Sequence, residues 1–213
     1  MSEARERHRL ALTFRIDGDV RFISHHDTLR VFRRAFARAE LPIRFTEGFN
    51  PHPKLSLPLP RPVGLASEAE VLVAEMEEAI PPNEVLERLS RQMPGGIELA
   101  ACRALGAKER LSPVAATYRF KPGEPTSELG ERVTQVLAAE TWIVDRVDRQ
   151  SGRRRPIDVR PFLIRLELCS EGVEFTLRVG DDGSARPSEI AAALGFHGDA
   201  VYHRMTRVEV RWR

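Results

Sequence analysis

The chain has 213 residues, 42% hydrophobic and 30% charged, which excludes a disordered chain and suits one or two domains with a sizeable core. No apolar run approaches the roughly 20 residues that span a bilayer, and the charged start MSEARERHRL carries no signal-peptide segment, so a cytoplasmic protein is expected. Net charge is only +2, and the two cysteines, Cys102 and Cys169, fall short of the about four thiolates an iron–sulfur cluster takes; no cofactor and no metal are expected.

Leu10, Leu12, Phe14 and Ile16 alternate with polar or small residues and predict a half-buried strand. Asp17-Gly18-Asp19 is turn chemistry. A helix is predicted over Ser24–Ala39, with Ser24 as N-cap and Asp27 as the acid of a capping box. Its apolar stripe is Leu29, Phe32, Phe36 and Ala39. A short strand over Ile43–Phe45 leads into the stretch 46–64, TEGFNPHPKLSLPLPRPVG. This Pro-rich loop reads as ordered, since each proline fixes its own φ and extends the residue before it. Leu55, Leu57 and Leu59 alternate within it as an added strand. Val71–Ala74 and Ile97–Cys102 predict strands around a helix that starts at Pro82 and ends near Gly95-Gly96.

Beyond a polar joint at Leu105–Pro113, strands are predicted at Tyr118/Phe120, Trp142–Val144, Ile164/Leu166/Leu168, Val173–Val179 and Val208/Val210/Trp212. Helices are predicted at Leu129–Leu137 and from Pro187 to Leu194. The expected fold is α+β: two ferredoxin-like βαββαβ units in tandem. The first covers 1–106 with the Pro-rich loop 46–64, and the second covers 107–213 with a basic loop at 146–162.

The charges are segregated. Arg30, Arg33, Arg34, Arg38, Arg44, Lys54 and Arg61 face only Glu40 and Glu47 over the same stretch, and Arg146, Arg149, Arg153, Arg154, Arg155 and Arg160 form a second cluster. Arg30, Arg34 and Arg38 recur every fourth residue along one helix face, a spacing at which guanidinium forks grip successive phosphates or simply meet water. Phe49 either stacks on a base or anchors the loop to the core. His25, His26 and His52 lack the helical spacing of a metal pair; His25 and His52 are the candidates for proton transfer, against the plainer role of ordering loop backbone. Asp158 is placed to position Arg160 by a charge-assisted bond.

The combination Phe22-Ile23-Ser24-His25-His26-Asp27, Gly48-Phe49-Asn50-Pro51-His52-Pro53-Lys54, Pro60-Arg61-Pro62-Val63-Gly64 and Ile157-Asp158-Val159-Arg160 resembles the bacterial "radical SAM-linked" domain family of unknown function, over roughly residues 10–205. His25, Asp27, Gly48, Asn50 and Pro51 match its motif, and the family usually carries Leu at the position of His26. The resemblance implies a radical SAM protein as partner, because members are fused to such proteins or encoded beside them, often near ribosome and RNA-metabolism genes. It supplies no catalytic residue. The expected function is an accessory protein that binds RNA, tRNA or rRNA, and presents it to the radical SAM enzyme. Arg30, Arg34, Arg38, Lys54, Arg61, Arg153, Arg154, Arg155 and Arg160 are the candidate phosphate or partner contacts. Phe49, Asn50, His52 and His25 are the candidate base or partner contacts. Ser24, Asp27, Gly48, Pro51, Pro53, Gly64 and Asp158 are the expected architecture of the motifs. Two alternatives stand beside this reading: a stand-alone RNA-processing or modifying enzyme using His25 or His52 as acid or base, and a protein-interaction module that docks the radical SAM subunit without nucleic acid.

Overall fold

The computed structural model describes residues 7–106, 108–123, 128–147, 152–180 and 183–213. It divides into two compact units, Met1–Ser112 and Pro113–Arg213, and its class is mixed α and β. Among the described residues no helix is long and apolar enough to cross a membrane.

The first unit runs β1 (His8–Ile16), α1 (His25–Arg38), β2 (Leu55–Ser56), β3 (Ala66–Met76), α2 (Pro82–Ser90) and β4 (Ile97–Leu105). Its sheet is antiparallel throughout, in the order β2-β3-β1-β4. The period-2 pattern of β1 buries Leu10, Leu12, Phe14 and Ile16 against Phe32, Ala35 and Phe36 of α1 and Val85 and Leu89 of α2. Phe14 meets Phe32 edge to face, ring centroids 4.9 Å apart. Each such fully buried aromatic contributes on the order of 1.5–3 kcal/mol from area alone. Helix α1 starts where its cap requires: Ser24 is extended and its hydroxyl oxygen accepts the Asp27 N–H at 3.1 Å. Pro82 opens α2 in the first turn, where its missing N–H costs nothing.

The second strand of this sheet differs from the expected one. Ile43 and Phe45 make only single bridges, to Met76 and Pro53, while Leu55–Ser56 from within the Pro-rich stretch takes the edge beside β3. The chain at 43–56 therefore forms a hairpin, and only its tip is loop.

The second unit runs β5 (Pro113–Phe120), α3 (Leu129–Ala138), β6 (Ile143–Val147), β7 (Arg154–Asp158), β8 (Leu163–Cys169), β9 (Gly172–Gly180), β10 (Gly183–Ser184), α4 (Pro187–Ala193) and β11 (Met205–Trp212). Its main sheet is antiparallel in the order β11-β5-β9-β8, with β10 also beside β9. Tyr118 stacks on Phe175 across the ladder, and Thr117 and Thr176 hydroxyls meet at 3.0 Å.

Two expectations change here. Ile143–Val147 joins no main sheet; it pairs with Arg154–Asp158 in a separate two-stranded ribbon. The basic segment expected as a loop over 146–162 therefore carries strand at 146–147 and Arg154–Asp158, with residues 148–151, Arg149 among them, outside the described residues. In β11 Val208, Val210 and Trp212 are half-buried and alternate with the exposed Glu209 and Arg211, as the period-2 pattern predicts, while Met205 and Arg207 at its start are fully buried. A register shift between Arg207 and Glu209 breaks the alternation there, and the Arg207 guanidinium lies 5.7 Å from the Tyr118 ring centre.

Candidate nucleic-acid interface

The motif 46–53 forms the tip of the hairpin in the first unit, held at its base from both sides. The Thr46 N–H donates to the His52 carbonyl at 2.8 Å, and the His52 N–H returns to the Thr46 hydroxyl at 2.9 Å. Below them Lys54 N–H donates to the Arg44 carbonyl at 2.8 Å, Arg44 N–H to the Glu75 carbonyl at 2.8 Å, and Glu75 N–H to the Lys54 carbonyl at 3.0 Å. Gly48 at φ 125° makes the turn that a side chain would resist. At the top Phe49 is wholly exposed, at 112% of its reference area. It is not the core anchor of the loop; the nearly buried Leu57 serves there. Asn50, Pro51 and His52 are exposed beside it, and Pro53 is half-buried.

The cations expected around this tip are mostly committed elsewhere. Lys54 Nζ and Arg44 share one oxygen of Glu75, at 3.4 and 3.0 Å. Arg61 donates to the carbonyls of Arg21, Ile23, Pro62 and Leu65, and Gly64, at φ 88°, donates its N–H to the Arg21 carbonyl at 2.9 Å. Arg61 and Gly64 thus pin the end of the loop to the turn before α1. On α1 itself, Arg30 pairs with Asp27 at 2.7 Å, and Arg38 holds the Gln92 side chain and carbonyl at 3.2 and 2.6 Å. Arg34 is exposed and has no hydrogen bond or ion pair among the described residues. Arg33, which the four-residue spacing passed over, is in the same condition. The Asp27 carboxylate accepts the Ser24 hydroxyl at 2.7 Å, and that bond, with Arg30 beside it, holds Asp27 below the usual carboxylate range.

His25 and His26 part company as their adjacent positions on a helix require. His26 is exposed; His25 is half-buried, its ring 5.6 Å from that of His26. His25 lines a small recess with Phe14, Ile16, Thr28, Leu57, Arg61 and the buried Glu70. Its Nδ1 is buried without a hydrogen-bond partner. Desolvation lowers its pKa below the usual histidine value, His26 adds to the effect and Glu70 opposes it. His52 is not among the residues of this recess.

In the second unit Arg154 and Arg155 are exposed on β7, with no side-chain partner among the described residues, and Arg153 is exposed beside them. Arg160 is built in: it donates to the carbonyls of Ala139, Leu163 and Leu137 at 3.0, 3.4 and 3.4 Å. Asp158 does not hold the Arg160 guanidinium. Its carboxylate accepts the backbone N–H groups of Trp142 and Arg160 at 2.7 and 3.0 Å, closing the base of the ribbon. The other end is fastened by Arg146, whose fork meets both oxygens of Glu189 at 2.7 Å.

Sequence reasoning missed other exposed apolar side chains of the first unit: Phe22 at 43%, Phe45 at 42% and Val63 at 52% exposure. Aromatic residues in a Pro-rich stretch are the signal that was available. No group of three or more potential metal ligands occurs among the described residues. The bacterial family described as "Uncharacterized protein conserved in bacteria" (DUF2344) matches residues 9–187. The chain belongs to this family. No curated protein matches it.

Proposed function

We propose that this protein is an accessory binding protein of a radical SAM system. It acts in the cytoplasm, holds single-stranded RNA (tRNA or rRNA) on the hairpin tip of its first unit, and presents it to the partner enzyme. The radical SAM link rests on the motif resemblance. We also read both units as ferredoxin-like. Support comes from their antiparallel sheets, each of which sets the first strand between the fourth and the third, with the second outside the third.

One observation carries the RNA reading: a fully exposed phenylalanine at the summit of a braced, Pro-containing hairpin. An ordered apolar ring in water is a standing invitation to a flat partner, and a nucleobase face supplies one without regard to sequence. In the same unit Arg33 and Arg34 are exposed, without a side-chain partner among the described residues, and meet phosphate; Arg154 and Arg155 offer the second unit phosphate contacts of its own. Replacing Phe49 by Ala should raise the Kd for a single-stranded oligoribonucleotide roughly 5- to 150-fold, the worth of one stacked base at about 1–3 kcal/mol. The Arg33→Ala/Arg34→Ala double variant should flatten the salt slope by about 0.7 for each phosphate that is no longer neutralised. Unaltered affinity in both variants refutes the reading.

The second reading is docking of a protein partner by the same unit. The observation favouring it is the exposure of Phe22, Phe45 and Val63 in addition to Phe49. Recovery of the partner from RNase-treated lysate by the native chain, and its loss with Phe45→Ala/Phe49→Ala, would move the assignment to that reading. A stand-alone enzyme has less support, since His25 and His52 do not share the His25 recess.

A further inference from the structure

The recess at the start of α1 has a use that phosphate binding and base stacking leave out. Its volume is about 10 Å3, the room of about one water molecule. Three polar side chains border it: Thr28, Arg61 and the buried Glu70. His25 lines it too, and its Nδ1 is buried without a partner. A buried polar nitrogen without a bond is costly unless water satisfies it. The ring makes no hydrogen bond to any described residue, and only Nδ1 is buried unpaired, so Nε2 is the atom that faces outward.

We propose that one water in this recess links His25 Nδ1–H to the Glu70 carboxylate, and that the outward Nε2 lone pair so fixed accepts a hydrogen bond from a ribose 2′-hydroxyl of the bound strand. The argument from chemistry is direct. The neighbouring cations of α1 can only donate, and they suit phosphates. A hydroxyl donor needs an acceptor, and a neutral imidazole with Nδ1 protonated offers one at Nε2. The lowered pKa of His25 keeps the ring neutral at pH 7. The 2′-hydroxyl is also the group by which a protein tells RNA from DNA. This deepens the RNA reading and rests on it.

The test pairs two oligonucleotides of one sequence, ribo and 2′-deoxy, on the full chain. The native protein should prefer the ribo strand roughly three- to tenfold, the value of one hydrogen bond. His25→Ala should abolish that preference while leaving the affinity for the deoxy strand unchanged, and His25→Gln, whose amide oxygen can accept, should restore part of it. The preference should also fade on acidification, at a pH below the ordinary histidine range because burial lowers this ring's pKa, since a doubly protonated ring has no acceptor; the groups facing it are Glu70 and Arg61 across the recess and His26 alongside. Long-range 15N spectra of the free protein test the tautomer alone: Nδ1–H in the native chain, and a mixture of tautomers in Glu70→Gln. A ribo-to-deoxy ratio unmoved by His25→Ala overturns the 2′-hydroxyl assignment even where RNA binds. An Nε2–H tautomer in the native chain overturns the water link. Failure of both strands to bind at low salt overturns the RNA reading itself, and the 2′-hydroxyl contact with it.

Discussion

Glu75 is the residue on which the two roles of the hairpin divide. Its side chain is 13% exposed, and one of its oxygens serves both Arg44, 20% exposed, and Lys54, 30% exposed. An exposed ion pair contributes about 0–1 kcal/mol, and breaking a buried one costs about 3–5 kcal/mol. This half-covered triad falls between them, so Glu75→Gln should destabilise the chain by roughly 1–3 kcal/mol. At about 4 °C per kcal/mol, Tm drops by roughly 4–12 °C. Binding should move the other way. The substitution frees two cations at the base of the Phe49 tip, so the Kd for single-stranded RNA at low salt should fall. If both reach phosphates, the slope of log K against log salt should steepen by about 1.4. Differential scanning fluorimetry and fluorescence anisotropy over a salt series read the two effects separately. A Tm within ~1 °C of the native value would refute the claim that these ion pairs brace the hairpin. A lower Tm with an unchanged salt slope would refute the claim that the hairpin base borders the RNA path.

Gly96→Ala should cost roughly 1–3 kcal/mol or more, read as a lower urea midpoint. Gly96 sits at φ 89°, and a Cβ there lies 2.6 Å from the Asp17 carbonyl oxygen, whose own N–H donates to Gly96 O at 2.9 Å. Gly95→Ala next door, with open space around it, should be close to neutral in the same assay. Arg146→Ala should remove roughly 1–3 kcal/mol from the second unit in thermal unfolding, by leaving the half-buried Glu189 without its fork; Arg146→Lys should recover only part, since an ammonium cannot bridge both oxygens. Burial pushes the Cys102 thiol up to about 11, so at pH 8 its thiolate fraction is on the order of 10⁻³. In a Cys169→Ser background, Cys102 should react with a disulfide reagent about 100-fold slower than an ordinary thiol, the lag closing as pH approaches 11.

What the sequence made legible was local. The Ser24 cap and the Phe32/Phe36 stripe defined α1 to within a residue at either end, because cap and stripe are decided inside fifteen residues. The edge strand was harder. Ile43–Phe45 and Leu55–Ser56 both alternate, and only pairing with β3, some 20 residues on, selects the second. The ribbon strand β7 was read as loop because Arg-Arg-Pro-Ile-Asp has no apolar alternation; it is held by Asp158 reaching back to Trp142 N–H. The same distance problem explains the cations. A row of arginines in sequence gives no sign that Arg61 will direct its donors to carbonyls about 40 residues earlier, that Arg38 will turn to Gln92, or that Lys54 will share a carboxylate with Arg44. What remained to be seen as free was Arg34, and beside it Arg33, which the spacing argument left aside.

The Arg61 side chain carries one last implication. Its guanidinium is fastened by donors alone to residues 21, 23, 62 and 65, so the turn that feeds α1 and the close of the Pro-rich stretch are parts of a single plate. A displacement at one is transmitted to the other without a hinge between them. A strand or subunit that seats on Val63 and tugs on that plate would shift the start of α1, and with it the tilt of the His25 ring.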